Sequence, residues 1–189
     1  MRESPIGPER RRLHHIAVPR LHDILPPRPR ILFVGINPGL RSWELGHHFA
    51  GKGNPFWRLL FAAGLTPVAL SGVEDARLAE FGLGLTNLCP RHTRTAAELS
   101  RAELDRGVVR LRRLIARVEP EVVAFVGLSI YQRYFGHKVS GGAGAKPERI
   151  GSARVFVLPN PSGLNASFPG FAQKLRWFEA LARQARAAG

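Results

Sequence analysis

A single cysteine, Cys89, stands in the 189-residue chain, so no intramolecular disulfide can form and the chain's own thiolates cannot hold an iron-sulfur cluster. Redox cofactor chemistry is not expected. Acidic residues are also few: 14 Asp plus Glu face 28 Lys plus Arg, which leaves a formal charge of +14 with histidine neutral. Long apolar runs are missing. None approaches the roughly 18 residues of a membrane span, and the N-terminus is polar and Arg/Pro-rich rather than basic and then apolar. A soluble, cytoplasmic protein with no membrane partner is the expectation, associated with the nucleoid if the cell is bacterial. The common nucleotide and hydrolase signatures are absent too. The first Gly-rich turn has neither the GxxxxGKS/T spacing of a P-loop nor the GxGxxG of a dinucleotide turn, and no GxSxG elbow offers a serine nucleophile.

Most of the cationic excess is arginine, whose planar fork suits phosphate, so a polyanion is the expected partner. Binding to nucleic acid through such a surface releases counterions and weakens steeply as salt rises. A high-GC genome enriches Arg, Ala, Gly and Pro without any binding role, and composition alone does not separate the two readings. The length fits one domain with a proper core. Residues 1–29 read as an Arg/Pro-rich arm with three adjacent arginines, Arg10, Arg11 and Arg12. It is expected to be irregular apart from a turn of helix over Leu21 to Leu25. Residues 30–189 read as the single folded domain.

Within that domain four apolar runs, Ile31 to Ile36, Leu83 to Leu88, Val122 to Val126 and Val155 to Leu158, read as buried parallel strands. Helical patterns lie between them. Asn54 before Pro55 gives an N-cap and a first-turn proline for Phe56 to Phe61. Ser100 and Glu103 have capping-box spacing ahead of an apolar stripe that Pro120 ends. Ser129 can cap a shorter helix through Phe135, and Phe171 to Arg186 places Leu175, Phe178 and Leu181 on one side with Lys174, Arg176 and Arg183 toward solvent. Gly141 to Ala145 reads as a flexible connector. Strands alternating with helices predict an α/β fold, a three-layer α/β/α sandwich around a central four-stranded, mainly parallel sheet.

Two turns hold the chemistry. The run ILFV enters a Gly35-Ile36-Asn37-Pro38-Gly39 turn, and a second apolar run enters Asn160-Pro161-Ser162-Gly163-Leu164. Both fall at carboxyl ends of strands, where open α/β sheets build ligand crevices. Asn37 can donate and accept hydrogen bonds but cannot titrate, so it can orient a water or a carbonyl and is no strong general base. In isolation it is as readily a plain turn residue. The Gly-rich stretch GHHFAGKGNPFW, residues 46–57, can wrap a planar ligand, with Phe49 stacking on a base. A metal set would combine His47, His48, Cys89 and His92, but no second cysteine or nearby carboxylate completes it, and none is expected. Cys89 as a nucleophile would need a thiolate paired with His92. Leu164 is either a core residue or an apolar wedge of the kind that props open a base stack.

Taken together, GINPG, GHHFAGKGNPFW, the TNLCPRHT stretch at 86–93 and LPNPSGL resemble the mismatch-specific uracil-DNA glycosylase and thymine-DNA glycosylase family, from about Arg30 onward. The resemblance implies a monofunctional glycosylase that excises uracil, thymine or other damaged bases, especially opposite guanine, in base excision repair. It needs no cofactor and acts on double-stranded and in some cases single-stranded DNA, with a monomer the default for an enzyme that scans a duplex. It further implies Asn37 as catalytic residue and Phe49 and Ile36 as contacts of the flipped base. Asn87 falls at a polar pocket position, and Ser42, His48 and Thr93 fall where members differ in treating the C5 substituent. Asn160, Pro161, Ser162, Gly163 and Leu164 match the loop that enters DNA and reads the opposite base, Leu164 as plug. His47 and His48 resemble the thymine branch, NPSGL the bacterial uracil branch. The rival from another class is a non-catalytic basic nucleic-acid-binding module.

Overall fold

The computed structural model describes residues 21–136, 142–162 and 170–187. Each apolar run forms a strand, giving β1 (Ile31–Gly35), β2 (Leu83–Asn87) and β3 (Val122–Val126); the last two strands are β4 (Gly144–Ile150) and β5 (Ala153–Leu158). The strand order is β2-β1-β3-β5-β4, parallel except for β4, which pairs antiparallel with β5 at the edge. The sheet thus has five strands where four were expected. The extra one begins at Gly144, inside the stretch expected to be a connector. Its sequence, GAKPERI, hides it: Pro147 lacks a ladder donor, the register shifts between Lys146 and Arg149, and one face is exposed. An edge strand tolerates all three.

Side chains alternate strictly across this sheet. Ile31 and Phe33 of β1, Val122 and Ala124 of β3, and Phe156 and Leu158 of β5 face one apolar layer, which Phe56, Leu59, Phe178 and Leu181 complete. Leu32, Val34, Val123, Phe125, Val155 and Val157 face the other, filled by Val108, Leu111, Tyr131 and Tyr134. Both faces are therefore covered by helices, which is why these strands read as continuous apolar runs. The first layer carries α2 (Phe56–Ala62) and α5 (Phe171–Arg186); the second carries α3 (Arg101–Val118) and α4 (Leu128–Phe135). A short α1 (Leu40–Leu45) follows the first turn, and 3-10 helices span Gly72–Phe81 and Ala96–Glu98. Among the described residues no helix is long and apolar enough to cross a membrane.

Local chemistry explains the boundaries. The Asn54 side chain accepts from Phe56 N–H at 3.0 Å, but the N-cap is Pro55, whose carbonyl takes the first helical bond, so α2 starts one residue later than expected. At α3 the reciprocal box forms, Ser100 N–H to Glu103 Oε2 at 2.9 Å and Glu103 N–H to Ser100 Oγ at 3.2 Å, and the helix stops at Glu119 before Pro120. Helix α4 starts one residue ahead of the expected cap Ser129, because Gly127, with φ of 134°, lets the chain turn straight out of β3. Leu21 to Leu25 makes no helical turn. Ile24 instead bridges antiparallel to Leu85, with both N–H···O distances 2.8 Å, and extends β2's hydrogen bonding outward. On α5, Arg176 and Arg183 are exposed as expected, but Lys174 is buried.

Helix α3 closes onto the end of β2 at Gly107, where an added Cβ would meet the Leu88 carbonyl at 2.6 Å and the Cys89 sulfur at 3.2 Å. Gly107→Ala is expected to destabilise the fold by about 1–3 kcal/mol through overpacking, against the roughly 1 kcal/mol that alanine gains in a helix. Chemical denaturation midpoints measure it.

Candidate active site

The parallel strands end on one edge, and the order of connections places a crevice there. From β1 the chain goes to β2 on one side and later returns to β3 on the other. Such a switch point leaves strand ends uncovered. A cleft of about 740 Å³ opens at this edge, lined by Gly35 to Ser42 after β1, Asn87 at the end of β2, Val126 to Ser129 after β3, and Leu158 to Asn160 after β5. Ser162, His48, Phe49 and the stretch from Thr93 to Ala96 also line it. Asn37 and the turn starting at Asn160 therefore share one cavity, although β3 separates their strands. Gly163 and Leu164 lie outside the described residues, so the wedge is not placed.

Asn37 is held in one orientation. Its Nδ2 donates to Thr93 Oγ1 at 2.7 Å, to the Arg91 carbonyl at 3.0 Å and to the Pro38 carbonyl at 3.3 Å. The Thr93 hydroxyl donates to the Thr95 carbonyl at 2.8 Å, so toward Asn37 it can only accept. A backbone carbonyl likewise only accepts. Both partners demand the amide nitrogen, and the amide oxygen is left as the free acceptor of the side chain. Thr93 carries this task as a buried residue, a role the sequence did not suggest for it. The Arg91 carbonyl is itself fixed, because the Arg91 guanidinium bonds both oxygens of Glu103 at 2.6 and 3.2 Å and the Glu98 carbonyl at 2.8 Å.

Asn87 sits opposite, buried, with its amide oxygen directly over Gly35; an added Cβ at residue 35 would overlap that oxygen. This close approach is the reason for glycine at the end of β1. The Asn87 carbonyl accepts from Arg110, which also pairs with Asp23 at 2.9 Å and donates to Thr86 Oγ1 at 3.1 Å, while Thr86 donates to Asp23 at 2.6 Å. This charged network ties the N-terminal segment, β2 and α3 together behind the cleft.

The Gly-rich loop is built around a residue the motif does not contain. Asp75, buried in the 3-10 helix, accepts from His48 N–H at 2.8 Å and meets His47 Nδ1 at 3.0 Å. Ser42 Oγ accepts from Ala50 N–H at 3.2 Å. Between these anchors Phe49 is held at φ of 48°, an unfavourable conformation for a side chain of its size, and stacks on Phe56 with ring centroids 4.0 Å apart. One ring face is thus committed to the core while the residue lines the cleft. The Ser71-x-x-Glu74 capping spacing in the sequence, realised by a 3.1 Å bond from Ser71 N–H to Glu74, was the available sign of a helix delivering Asp75.

The electrostatics of the cleft are one-sided. Among the described residues its lining includes Arg41 and Arg94 and no carboxylate. Burial pushes the His48 imidazole down from its ordinary value, outweighing its bond to the His22 carbonyl and the nearby Asp75 and Asp23 charges. Its Nε2 lies 2.9 Å from that carbonyl, which only accepts, so Nε2 carries the proton. His47, His48, Cys89 and His92 are engaged separately. Cys89 is buried against Glu103 and its thiol pushed up by desolvation, and His92 stacks on Trp43 at 4.5 Å. Among the described residues no cluster of three or more His, Cys, Asp or Glu could hold a metal ion.

A family model described as the uracil DNA glycosylase superfamily matches residues 22–184. The fold is similar to the solution NMR structure of a candidate uracil DNA glycosylase from Methanosarcina acetivorans, with a TM-score of 0.58 and 19% identity over 89% of this chain and 98% of that one.

Glu103 is held down to about 2, first by the Arg91 hydrogen bond and then by its bonds to Ser100. A depressed carboxyl pKa stabilises the fold fully above its ordinary value of 4.5, and that contribution fades as pH falls toward 2. The thermal midpoint is expected to drop through this window more steeply in the wild type than in Glu103→Gln, by calorimetry across pH.

Proposed function

The chain belongs to the uracil DNA glycosylase superfamily, and from that premise we propose that it is a monofunctional DNA glycosylase acting, as a monomer, in base excision repair. In this reading it flips uracil, or thymine mispaired with guanine, out of DNA and hydrolyses the bond joining base to deoxyribose. The observation that carries it is the fixed Asn37 amide. With its nitrogen locked by two acceptors, its oxygen stands ready to accept from a water and aim that water's lone pair at the sugar carbon. Among the described residues no carboxylate lines the cleft to deprotonate the water, so the leaving group must do most of the work.

The chemistry then runs through bond cleavage ahead of attack. The C1′–N1 bond breaks with its electron pair leaving on uracil as an anion, positive charge develops on the sugar, the water oxygen bonds to C1′, and the water's spare proton passes to solvent. A pre-organised polar pocket accelerates such a reaction by holding the charge as it appears. In this reading backbone groups at Ile36 and the Asn87 amide bind the base edge, Phe49 stacks on its face, and Ser42 and His48 contact its C5 side. The cleft, at about 740 Å³, falls within the ordinary range for a bound small ligand. Arg41, Arg94 and the overall charge of +14 supply the field that gathers DNA and steadies the anion. The turn Asn160 to Ser162, continued by Gly163 and Leu164, enters the duplex where the base has left. The motif resemblance favours the mismatch-specific branch and lesions opposite guanine.

A binding module without chemistry would share the charge and the aromatic loop. Incubation with uracil-containing duplex followed by alkali separates the two, since only a glycosylase leaves abasic sites that break.

Asn37→Ala is expected to bind uracil-containing DNA nearly as well as the wild type while single-turnover base release falls about 10²-fold or more. Normal release by the variant would refute the assignment. Leu164→Ala is expected to slow processing of paired lesions much more than unpaired ones, measured on matched duplex and single-stranded substrates; equal losses argue against a wedge.

A further inference from the structure

Lys174 is 2 % exposed and sits in the first turn of α5. That is a poor place for an ammonium on two counts: burial strips its water, and the positive end of the helix dipole lies beside it. Among the described residues it makes no ion pair. Its hydrogen bonds instead go to two successive backbone carbonyls, Pro161 at 3.2 Å and Ser162 at 3.3 Å. Both belong to the turn that lines the cleft, closed on its other side by Ser162 N–H donating to Asn160 Oδ1 at 2.9 Å. Gly163 and Leu164 follow directly in sequence. An apolar side chain of the same length would leave both carbonyls without this donor. What the ammonium secures is the foot of the turn.

We propose that Lys174 is a positioning residue that clamps the carbonyls of Pro161 and Ser162, so that the turn they belong to meets duplex DNA already oriented. The proposal rests on the glycosylase reading and deepens it. Held from below by one cation and from the side by the Asn160 amide, the turn loses little freedom when DNA arrives, and the energy of insertion goes into opening the base pair. A single-stranded substrate has no pair to open, so the clamp matters there far less. The ammonium points at protein carbonyls rather than at solvent, so it neutralises no phosphate.

The test is single-turnover base release by Lys174→Met and Lys174→Gln on matched duplex and single-stranded uracil substrates, with duplex affinity measured across salt. For Lys174→Met, release from duplex is expected to fall about ten-fold or more, as misplacing a substrate-positioning group does. Release from single strands should change less than about two-fold and the salt slope stay as in wild type. Lys174→Gln, which keeps an N–H donor without the charge, is expected to recover part of the duplex rate. Equal losses on both substrates, a salt slope smaller by about one, or an unchanged duplex rate would overturn the clamp. If Lys174→Met does not fold, the ¹⁵N ammonium signal of Lys174 in the wild-type protein decides. An ammonium signal already protected from solvent exchange in the free protein, and still so with abasic duplex, supports the clamp, and one that exchanges freely before DNA is added overturns it. Wild-type protein that releases no base from either substrate would remove the glycosylase reading, whereas normal release with an unaltered duplex preference in the variants removes this inference alone.

Discussion

The orientation of one amide organises the site. Asn37 leaves β1 at the sheet edge, and its nitrogen is taken by the Thr93 hydroxyl and the Arg91 carbonyl, two groups that accept and cannot donate in that direction. A primary amide has two chemically distinct ends, so fixing one end fixes the other. Behind Arg91 stands Glu103, and behind Glu103 the capping box that starts α3, so the direction of a small side chain is inherited from the start of an 18-residue helix.

A second constraint is the shortage of negative charge in the cleft. Among the described residues its only charged side chains are arginines, and burial pushes the pKa of the imidazole within it down. Such a pocket suits the departure of an anion better than the activation of a nucleophile. Under the proposed function this explains why a residue that cannot titrate is adequate beside the water, and why the surrounding protein is so basic. The rate would depend on how firmly the pocket grips a developing uracil anion and how rigidly the DNA-facing turn is presented.

Much of the fold was legible in the sequence because it is written in residues that act locally. Apolar runs bounded by glycine and proline gave the buried strands, and the Ser100–Glu103 and Asn54–Pro55 pairs gave helix starts, the second off by one residue, that the structure marks with side-chain hydrogen bonds. The strand the sequence does not announce, β4, is an edge strand carrying a proline and a register shift; its burial alternates, but its residues, GAKPERI, show no apolar–polar alternation to match. Lys174 is buried, against its pattern, for a related reason: helical periodicity says which residues share a face, and it is silent about a neighbouring turn folding over one of them.

The sequence by itself determined the chemistry available: an amide at one strand end, a second Asn-Pro turn at another, an aromatic in a glycine-rich loop, and a large excess of arginine. Only the tertiary structure decided their directions. That β1 and β5 flank β3 and deliver both turns to one cleft follows from strand order, which no local pattern encodes. The partners that lock each group, Thr93 for Asn37, Asp75 for the histidine loop and Lys174 for the second turn, lie 56, 27 and 12 residues away along the chain. Hydrogen bonds reach only about 3 Å, so contacts of such separation exist solely because the packed sheet and its two helical layers bring distant backbone into register.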